Sequence, residues 1–169
     1  MKRNIFWLFA ALLSTATFTT TMTSCENDPC KDVVCDDNSD CFDGECICRV
    51  GYEKDANNNC VLERLKFVGS YQVSETCGSG SDVFNISLAA GTSSNDQVVI
   101  ANFYNTIANG VVATVNGSTL TIADQEPDNN GITLSGSGTY DNGVLTITYT
   151  LIDTSNGNTD SCTAVCTKL

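Results

Sequence analysis

Six cysteines between residues 30 and 60 constrain the fold of this chain more than any other feature of its sequence. They follow the spacing C-x4-C-x5-C-x4-C-x-C-x11-C in a stretch with few apolar residues. So small a core cannot offset the entropy of ordering about 35 residues, so disulfides must restrict the unfolded chain. Six cysteines allow fifteen connectivities, and the spacing alone leaves them open. The six are Cys30, Cys35, Cys41, Cys46, Cys48 and Cys60.

The second half of this stretch resembles an EGF-like module. Residues 46–52 read CICRVGY and are followed by Cys60, which matches the C-x-C-x-x-G-[YF] ending of that family. The short loop from Cys41 to Cys46 resembles the tenascin-type form. The resemblance implies an EGF-like module over residues 30–61. It also implies three disulfides, which are Cys30–Cys41, Cys35–Cys46 and Cys48–Cys60.

The first 24 residues have the anatomy of a signal peptide. Lys2 and Arg3 precede an apolar run at 5–13, which is too short to span a bilayer as a stable helix. The sequence MTSC at 22–25 resembles a bacterial lipobox, and with the acidic residues after it resembles the surface lipoproteins of Bacteroidota. The resemblance implies lipidation of Cys25 and a tether over residues 25–29. We therefore expect an exported outer-membrane lipoprotein that faces the cell surface, with the membrane as a partner through its lipid anchor.

The charge of the chain limits its partners. It contains 20 acidic residues, 8 basic residues and no histidine, and removal of residues 1–24 leaves six basic residues against the twenty acidic ones. A surface this acidic argues against binding to nucleic acid or to anionic membranes. The ten cysteines are typical of an oxidising compartment, in agreement with export.

After a short linker at 62–66, residues 67–169 are predicted to form an all-β domain. The segment is rich in Thr, Val, Ile and Tyr, and five Asn-Gly pairs supply turn signals. This pattern predicts a mainly β protein with an eight-stranded antiparallel meander, either a small barrel or, alternatively, a β-sandwich. The predicted strands are about 67–77, 82–90, 96–104, 110–116, 118–124, 131–140, 143–152 and 159–168.

Alternation within the strands predicts which side chains face the core. Leu145, Ile147, Tyr149 and Leu151 alternate with threonines and should point inward. Phe84, Ile86, Leu88, Leu120, Ile122, Ile132 and Leu134 repeat the pattern in other strands. Gly136 and Gly138 continue the inward set of the sixth strand and indicate a bend in the sheet.

The start of the β domain resembles lipocalin-like (calycin-like) barrels. Residues 67–71 read FVGSY, which is similar to the G-x-[WY] motif at the start of those barrels. The domain as a whole looks like the β domains of uncharacterised Bacteroidota lipoproteins. That resemblance implies a location and a fold, and brings no known activity.

Three cysteines remain in the β domain. In a closed meander the last strand lies antiparallel to the first, which favours a Cys77–Cys162 disulfide over Cys77–Cys166. Cys162 and Cys166 lie about 13 Å apart on one strand, too far to pair with each other. One thiol is therefore left over, and no histidine is present to lower its pKa.

The sequence predicts no catalytic residue, no metal site and no cofactor, and hence a protein that is not an enzyme. It has no histidine, no Gly-rich phosphate loop and no Ser-centred elbow. Glu126 and Asp128 flank Pro127 and have the residue types of a glycosidase pair, but they lie in a turn-rich loop where acidic groups are usually solvated.

Three functions fit these features. The first is a non-enzymatic binding or adhesion module that contacts an unknown protein or glycan ligand outside the cell. The second is a carrier that holds a small apolar ligand inside the barrel. The third is a calcium-stabilised structural protein, since an acidic cluster lies at 36–40. The entry to the module at 26–30 departs from the calcium-binding form of the family, which favours a solvated acidic loop.

Overall fold

The computed structural model describes residues 28–169, so the predicted signal peptide and Cys25 lie outside the described residues. Two short 3-10 turns interrupt the β structure, one at Glu63–Lys66, which we call the linker turn, and one at Phe103–Asn105. Within 28–169, no helix has the length and apolar character needed to cross a membrane. The strands are β1 (Ser39–Phe42), β2 (Glu45–Cys48), β3 (Tyr52–Lys54), β4 (Cys60–Leu62), β5 (Gly69–Cys77), β6 (Gly80–Ala90), β7 (Gln97–Ala101), β8 (Val111–Asn116), β9 (Thr119–Gln125), β10 (Ile132–Asp141), β11 (Val144–Asp153) and β12 (Asn158–Lys168).

The cysteine-rich region, residues 28–62, contains two small antiparallel sheets, in which β1 pairs with β2 and β3 pairs with β4. Val34, Phe42 and Val50 are exposed, so disulfides rather than an apolar core hold this region together. The first cysteine is joined to the third, the second to the fourth and the fifth to the sixth, which is the pairing that the sequence resemblance implies. The three bonds are Cys30–Cys41, Cys35–Cys46 and Cys48–Cys60.

Strands β5 to β12 form a closed antiparallel barrel, in which each strand pairs with its neighbours in sequence and β12 pairs back onto β5. The predicted eight-stranded meander is therefore confirmed. The alternative of a β-sandwich is wrong, because the β12–β5 ladder leaves no open sheet edge. Cys162 lies opposite Cys77 in this ladder, and the two form the fourth disulfide.

Side chains fill the inside of the barrel. In β11, Leu145, Ile147, Tyr149 and Leu151 are at most 6% exposed, as their alternation with threonines predicts. The inward residues of the other strands join them in one continuous apolar cluster. The barrel is therefore a packed core rather than a hollow container along most of its length.

One predicted strand is too long. The sequence pattern predicts a strand over 96–104, but β7 ends at Ala101. Asn102 has a φ of 59°, and Tyr104 and Asn105 also have positive φ angles. Three left-handed residues within four positions turn the chain out of the ladder, and alternation of apolar residues cannot reveal such a turn.

The Asn-Gly pairs differ in the turns they form. Asn142 and Gly143 have φ angles of 47° and 86° and connect β10 to β11 as the predicted two-residue turn. Positive φ at both positions is the property of a type I′ turn. The pairs at 109–110, 130–131 and 156–157 lie in longer connections.

The linker turn binds to one end of the barrel. The Arg64 guanidinium donates from Nη1 to the carbonyl oxygens of Gly91 (2.9 Å) and Ser94 (2.8 Å) in the β6–β7 connection. The Gly117 N–H donates to the Glu63 carboxylate at 2.7 Å. These charge-assisted bonds attach the segment that follows the cysteine-rich region to two separate connections of the barrel.

Phe67 closes the same end of the barrel. Its side chain is fully buried, and the Tyr71 hydroxyl donates to its carbonyl oxygen at 2.7 Å. The ring of Tyr140 lies 5.2 Å from the ring of Phe67. The Lys168 ammonium donates to the Lys66 carbonyl oxygen at 2.9 Å, so the last strand also holds the linker.

Close approach of β10 to β11 explains both inward glycines, since a Cβ atom at Gly138 would lie 2.8 Å from the Thr146 carbonyl oxygen. A Cβ atom at Gly136 would lie 2.5 Å from the Thr148 carbonyl oxygen and 2.5 Å from the Tyr149 Cβ. The β9–β10 ladder also shifts its register between Leu134 and Gly136. An irregularity of the ladder therefore lies beside Gly136, one of the two glycines at which the sequence predicts a bend.

We expect Gly136→Ala to lower the free energy of unfolding by about 1–3 kcal/mol, because the added methyl group overlaps backbone atoms of β11 that have little room to move. Urea unfolding under non-reducing conditions measures the change. The control is Ser137→Ala, at the exposed neighbouring position, which should change stability by less than about 0.5 kcal/mol. Equal stability of Gly136→Ala and the wild type would contradict the close approach.

Candidate functional site

The two ends of the barrel differ in how they are covered. The module end, which lies next to the cysteine-rich region, is closed by the linker turn and Phe67. The opposite end, which we call the mouth, is formed by the other four connections between barrel strands. These connections are residues 78–79, 102–110, 126–131 and 154–157.

A first cavity of about 280 Å³ opens at the mouth. Its lining combines apolar side chains with carboxylates. The apolar side chains come from the 102–110 connection and from strands β10 and β11. The apolar groups are Tyr104, Ile107, Ile132 and Leu151. The carboxylates are Asp128, Asp153 and Asp160.

A second cavity of about 330 Å³ adjoins the first, because Tyr104 and Thr106 line both. Tyr104 has a left-handed backbone (φ 54°, ψ 23°), which costs a residue with a Cβ atom about 1 kcal/mol or more. Its ring packs edge-on against Tyr149, and its hydroxyl donates to Asp160 at 3.3 Å. Backbone strain of this kind concentrates at functional sites, and here it holds an aromatic ring between the two cavities.

The three carboxylates of the first cavity are held as anions. Two backbone N–H groups in the 102–110 connection donate to Asp128 at 2.8 and 3.0 Å, and the Ser79 hydroxyl donates to Asp160 at 2.5 Å. Asp153 accepts similar bonds within its own turn. These hydrogen bonds hold the pKa of each carboxyl group below its usual value. All three groups are therefore negatively charged at neutral pH.

Glu75 is a buried carboxyl group in the lining of the second cavity. It lies on the inward face of β5, is 5% exposed, and accepts a hydrogen bond from the Tyr149 hydroxyl. Burial raises the pKa of Glu75, and the Tyr149 hydrogen bond opposes this rise. No salt bridge reaches Glu75 from the described residues, and the sequence from 69 to 167 contains no lysine, arginine or histidine.

Below the mouth the barrel is filled. Val73, Phe103, Ile147 and Cys166 lie around a gap with no room for a water molecule. Cys166 is the free cysteine of the described chain, and burial raises the pKa of its thiol to about 12. The thiol is therefore protonated and shielded from solvent.

Glu126 and Asp128, which flank Pro127 in the sequence, form hydrogen bonds that hold loops in place. The Glu126 carboxylate accepts from the Gly131 N–H at 2.5 Å, across its own connection. Asp128 bonds to the 102–110 connection and lines the first cavity, whereas Glu126 does not line it. Of the two, only Asp128 belongs to the candidate site.

The acidic cluster of the cysteine-rich region has protein partners. Asp36 accepts hydrogen bonds from the Ser39 hydroxyl (2.6 Å) and the Cys60 N–H (3.2 Å). Asp40 forms a salt bridge with Arg49 at 2.8 Å. These contacts lower the pKa of both carboxyl groups and tie together the two small sheets.

Of the residues predicted to matter, the eight disulfide cysteines are paired as described above, and Cys25 lies outside 28–169. Sequence reasoning missed the mouth itself, including Tyr104, Asp153 and Asp160. One signal was present, because Glu75 follows Tyr71 and Val73 in the inward series of β5 and is the charged member of that series. An ionisable side chain at an inward-facing position must be buried in an apolar core, which is unfavourable for its charged form.

Comparison with known proteins gives little further information. No protein-family model matches the chain, and no curated protein is similar to it. The chain is similar to a protein of unknown function from Bacteroides ovatus, whose crystal structure was solved at 2.40 Å resolution. The two share 12% identity over 60% of this chain and 41% of that chain, with a TM-score of 0.42. The present chain thus spans about two fifths of the length of that protein.

We expect Glu75→Gln to stabilise the free protein. At pH 8 it should raise the free energy of unfolding by about 1 kcal/mol, because it removes a buried negative charge that has no cationic partner. The folded-state pKa of Glu75 is raised, so the wild type loses stability as pH rises above the unfolded value of about 4.3. The advantage of the variant should therefore disappear as pH falls toward that value.

Urea unfolding at a series of pH values measures this difference. Asp141→Asn removes the same charge from an exposed position at the module end and should show no comparable gain. A Glu75→Gln protein that is no more stable than the wild type at pH 8 would show that the carboxylate is not destabilising.

Proposed function

We propose that the protein is a lipid-anchored surface lipoprotein that acts as a non-enzymatic binding module. In this proposal Cys25 carries the lipid, the cysteine-rich region is an EGF-like spacer, and the barrel presents its mouth to a protein or glycan outside the cell. The observation that carries the proposal is the position of the mouth, which lies at the end of the barrel opposite the linker turn.

The EGF-like assignment is supported by the disulfide order and by the turns. The pairing of first with third, second with fourth and fifth with sixth cysteine accompanies two small hairpins. Gly44 and Gly51 have φ angles of 86° and 85°, a left-handed conformation that glycine adopts without a steric penalty. A disulfide-pinned unit of this kind suits a spacer between an anchor and a binding domain.

The orientation of the barrel follows from how the linker is attached. Arg64 and Glu63 bind connections at the module end, and Lys66 forms a salt bridge with Glu53 of the cysteine-rich region at 2.5 Å. An anchor at Cys25 would then lie on the module side of the barrel. The mouth would point away from the membrane, where a partner can reach it.

The same features favour contact at the mouth over the two alternatives. A carrier in the lipocalin-like sense needs an internal cavity, and the inside of this barrel is filled with side chains. A calcium-stabilised module needs free oxygen ligands, whereas Asp36 and Asp40 already bind protein donors. We therefore favour the binding module.

We expect the barrel to be accessible on intact cells of the producing bacterium. In a Val83→Cys variant, a membrane-impermeant maleimide should label the new thiol without opening the outer membrane, because Val83 is 64% exposed. The wild type provides the background, since Cys166 is buried. Labelling that appears only after the outer membrane is opened would place the barrel in the periplasm and contradict the proposal.

We also expect the purified protein to carry acyl chains on Cys25. Its intact mass should exceed that of the polypeptide 25–169, and Cys25→Ser should abolish the excess and prevent membrane association. A matched Cys166→Ala variant should keep the lipid. A wild-type mass equal to that of an unmodified chain would rule out the anchor.

A further inference from the structure

The described basic residues all lie outside the barrel sequence 69–167. Lys31, Arg49, Lys54, Arg64 and Lys66 precede the barrel strands, and Lys168 holds the linker at the module end. The barrel sequence from 69 to 167 contains nine acidic residues and no basic one. The mouth is therefore an anionic surface without internal neutralisation, and its complement is a cation.

Glu75 makes this complementarity specific to one place. Its carboxylate is buried in the lining of the second cavity, where the Tyr149 hydroxyl is its one hydrogen-bond donor among the described residues. Asp82 also lines this cavity. A buried carboxylate attracts a cation more strongly than an exposed one, because little water screens the charge. A cationic head group that entered this cavity would supply the positively charged partner that Glu75 lacks among the described residues.

The first cavity adds an apolar surface beside the anionic one. Ile107 and Leu151 are less than 10% exposed and line it together with Tyr104, whose ring also borders the second cavity. Volumes of about 280 and 330 Å³ lie at the lower limit of small-molecule sites, which is roughly 300 Å³. Each cavity therefore suits one side chain better than a bulky organic ligand.

We propose that the mouth recognises an extended segment of a partner protein through two side chains on one face of that segment, a lysine or arginine that enters the second cavity toward Glu75 and an apolar residue two positions away that occupies the first. Tyr104 would lie between the two side chains. This inference rests on the proposed function, because it names the class of partner that the surface module binds.

The test uses three capped peptides and the detergent-solubilised full-length protein. The probe is acetyl-Gly-Leu-Gly-Lys-Gly-Leu-Gly-amide, in which lysine and leucine two positions apart share one face of an extended chain. The matched peptides replace its lysine with glutamine or both leucines with glycine. Titration calorimetry measures affinity, and amide chemical shifts locate the peptide. We expect the probe to bind at least tenfold more tightly than either matched peptide and to shift the amides of Tyr104 and Thr106.

The protein variants separate a specific site from general charge attraction. Glu75→Gln should weaken binding of the probe at least tenfold, although it is expected to be well folded. Asp141→Asn removes the same charge at the module end and should change the affinity less than twofold. Equal loss in both variants, equal binding of the glutamine peptide, or no binding of the probe would each overturn the inference.

Failure of this inference is distinguishable from failure of the proposed function. If the maleimide labels Val83→Cys on intact cells but the probe does not bind, the protein is a surface module whose partner is not a basic, apolar segment. If labelling requires an opened outer membrane, the surface assignment fails whatever the peptides do.

Discussion

The ladder between β5 and β12 is the interaction on which the rest of the barrel depends. It joins the first and last strands of the meander and so removes both edges of the sheet. The Cys77–Cys162 disulfide crosses this seam and closes a loop of 85 residues in the sequence. In the chain-entropy model, a loop of that size stabilises the fold by about 4.5 kcal/mol. Closure also gives the barrel two ends, and these ends differ in how they are covered.

The two ends differ because the polar side chains of the linker form hydrogen bonds at only one of them. At the module end, Arg64 and Glu63 satisfy backbone groups of separate connections, and Phe67 covers the core. At the mouth, the connections hold one another through Asp128 and Asp160 and leave space between them. The interior of this barrel is filled with side chains, so the space available to a ligand lies at the uncovered end.

The strands and their inward faces were predictable, because alternation of apolar residues directly reports which side of a sheet is buried. The seam disulfide was favoured for the same reason, since strand order places Cys77 opposite Cys162. The mouth was not predictable. It depends on left-handed residues such as Tyr104 and on hydrogen bonds between connections distant in sequence, and neither leaves a periodic pattern. The disulfide pairing of the cysteine-rich region was predictable only through its resemblance to EGF-like modules, because spacing alone does not select among fifteen connectivities.

The buried position of Glu75 is not explained by a contribution to stability. It is the charged residue among the buried side chains of the described chain, and an apolar residue of similar size would avoid the desolvation of a carboxylate. Its hydrogen bond with Tyr149 limits that penalty without cancelling it, because a hydroxyl group brings no positive charge. The burial that destabilises the carboxylate in the free protein also reduces screening of its charge, so an incoming cation gains more there than at the half-buried Asp153. Conflicts between a local sequence choice and the core are expected at functional sites. Since Glu75 lies where the packed core meets the mouth, a cation can reach it without disturbing the barrel below.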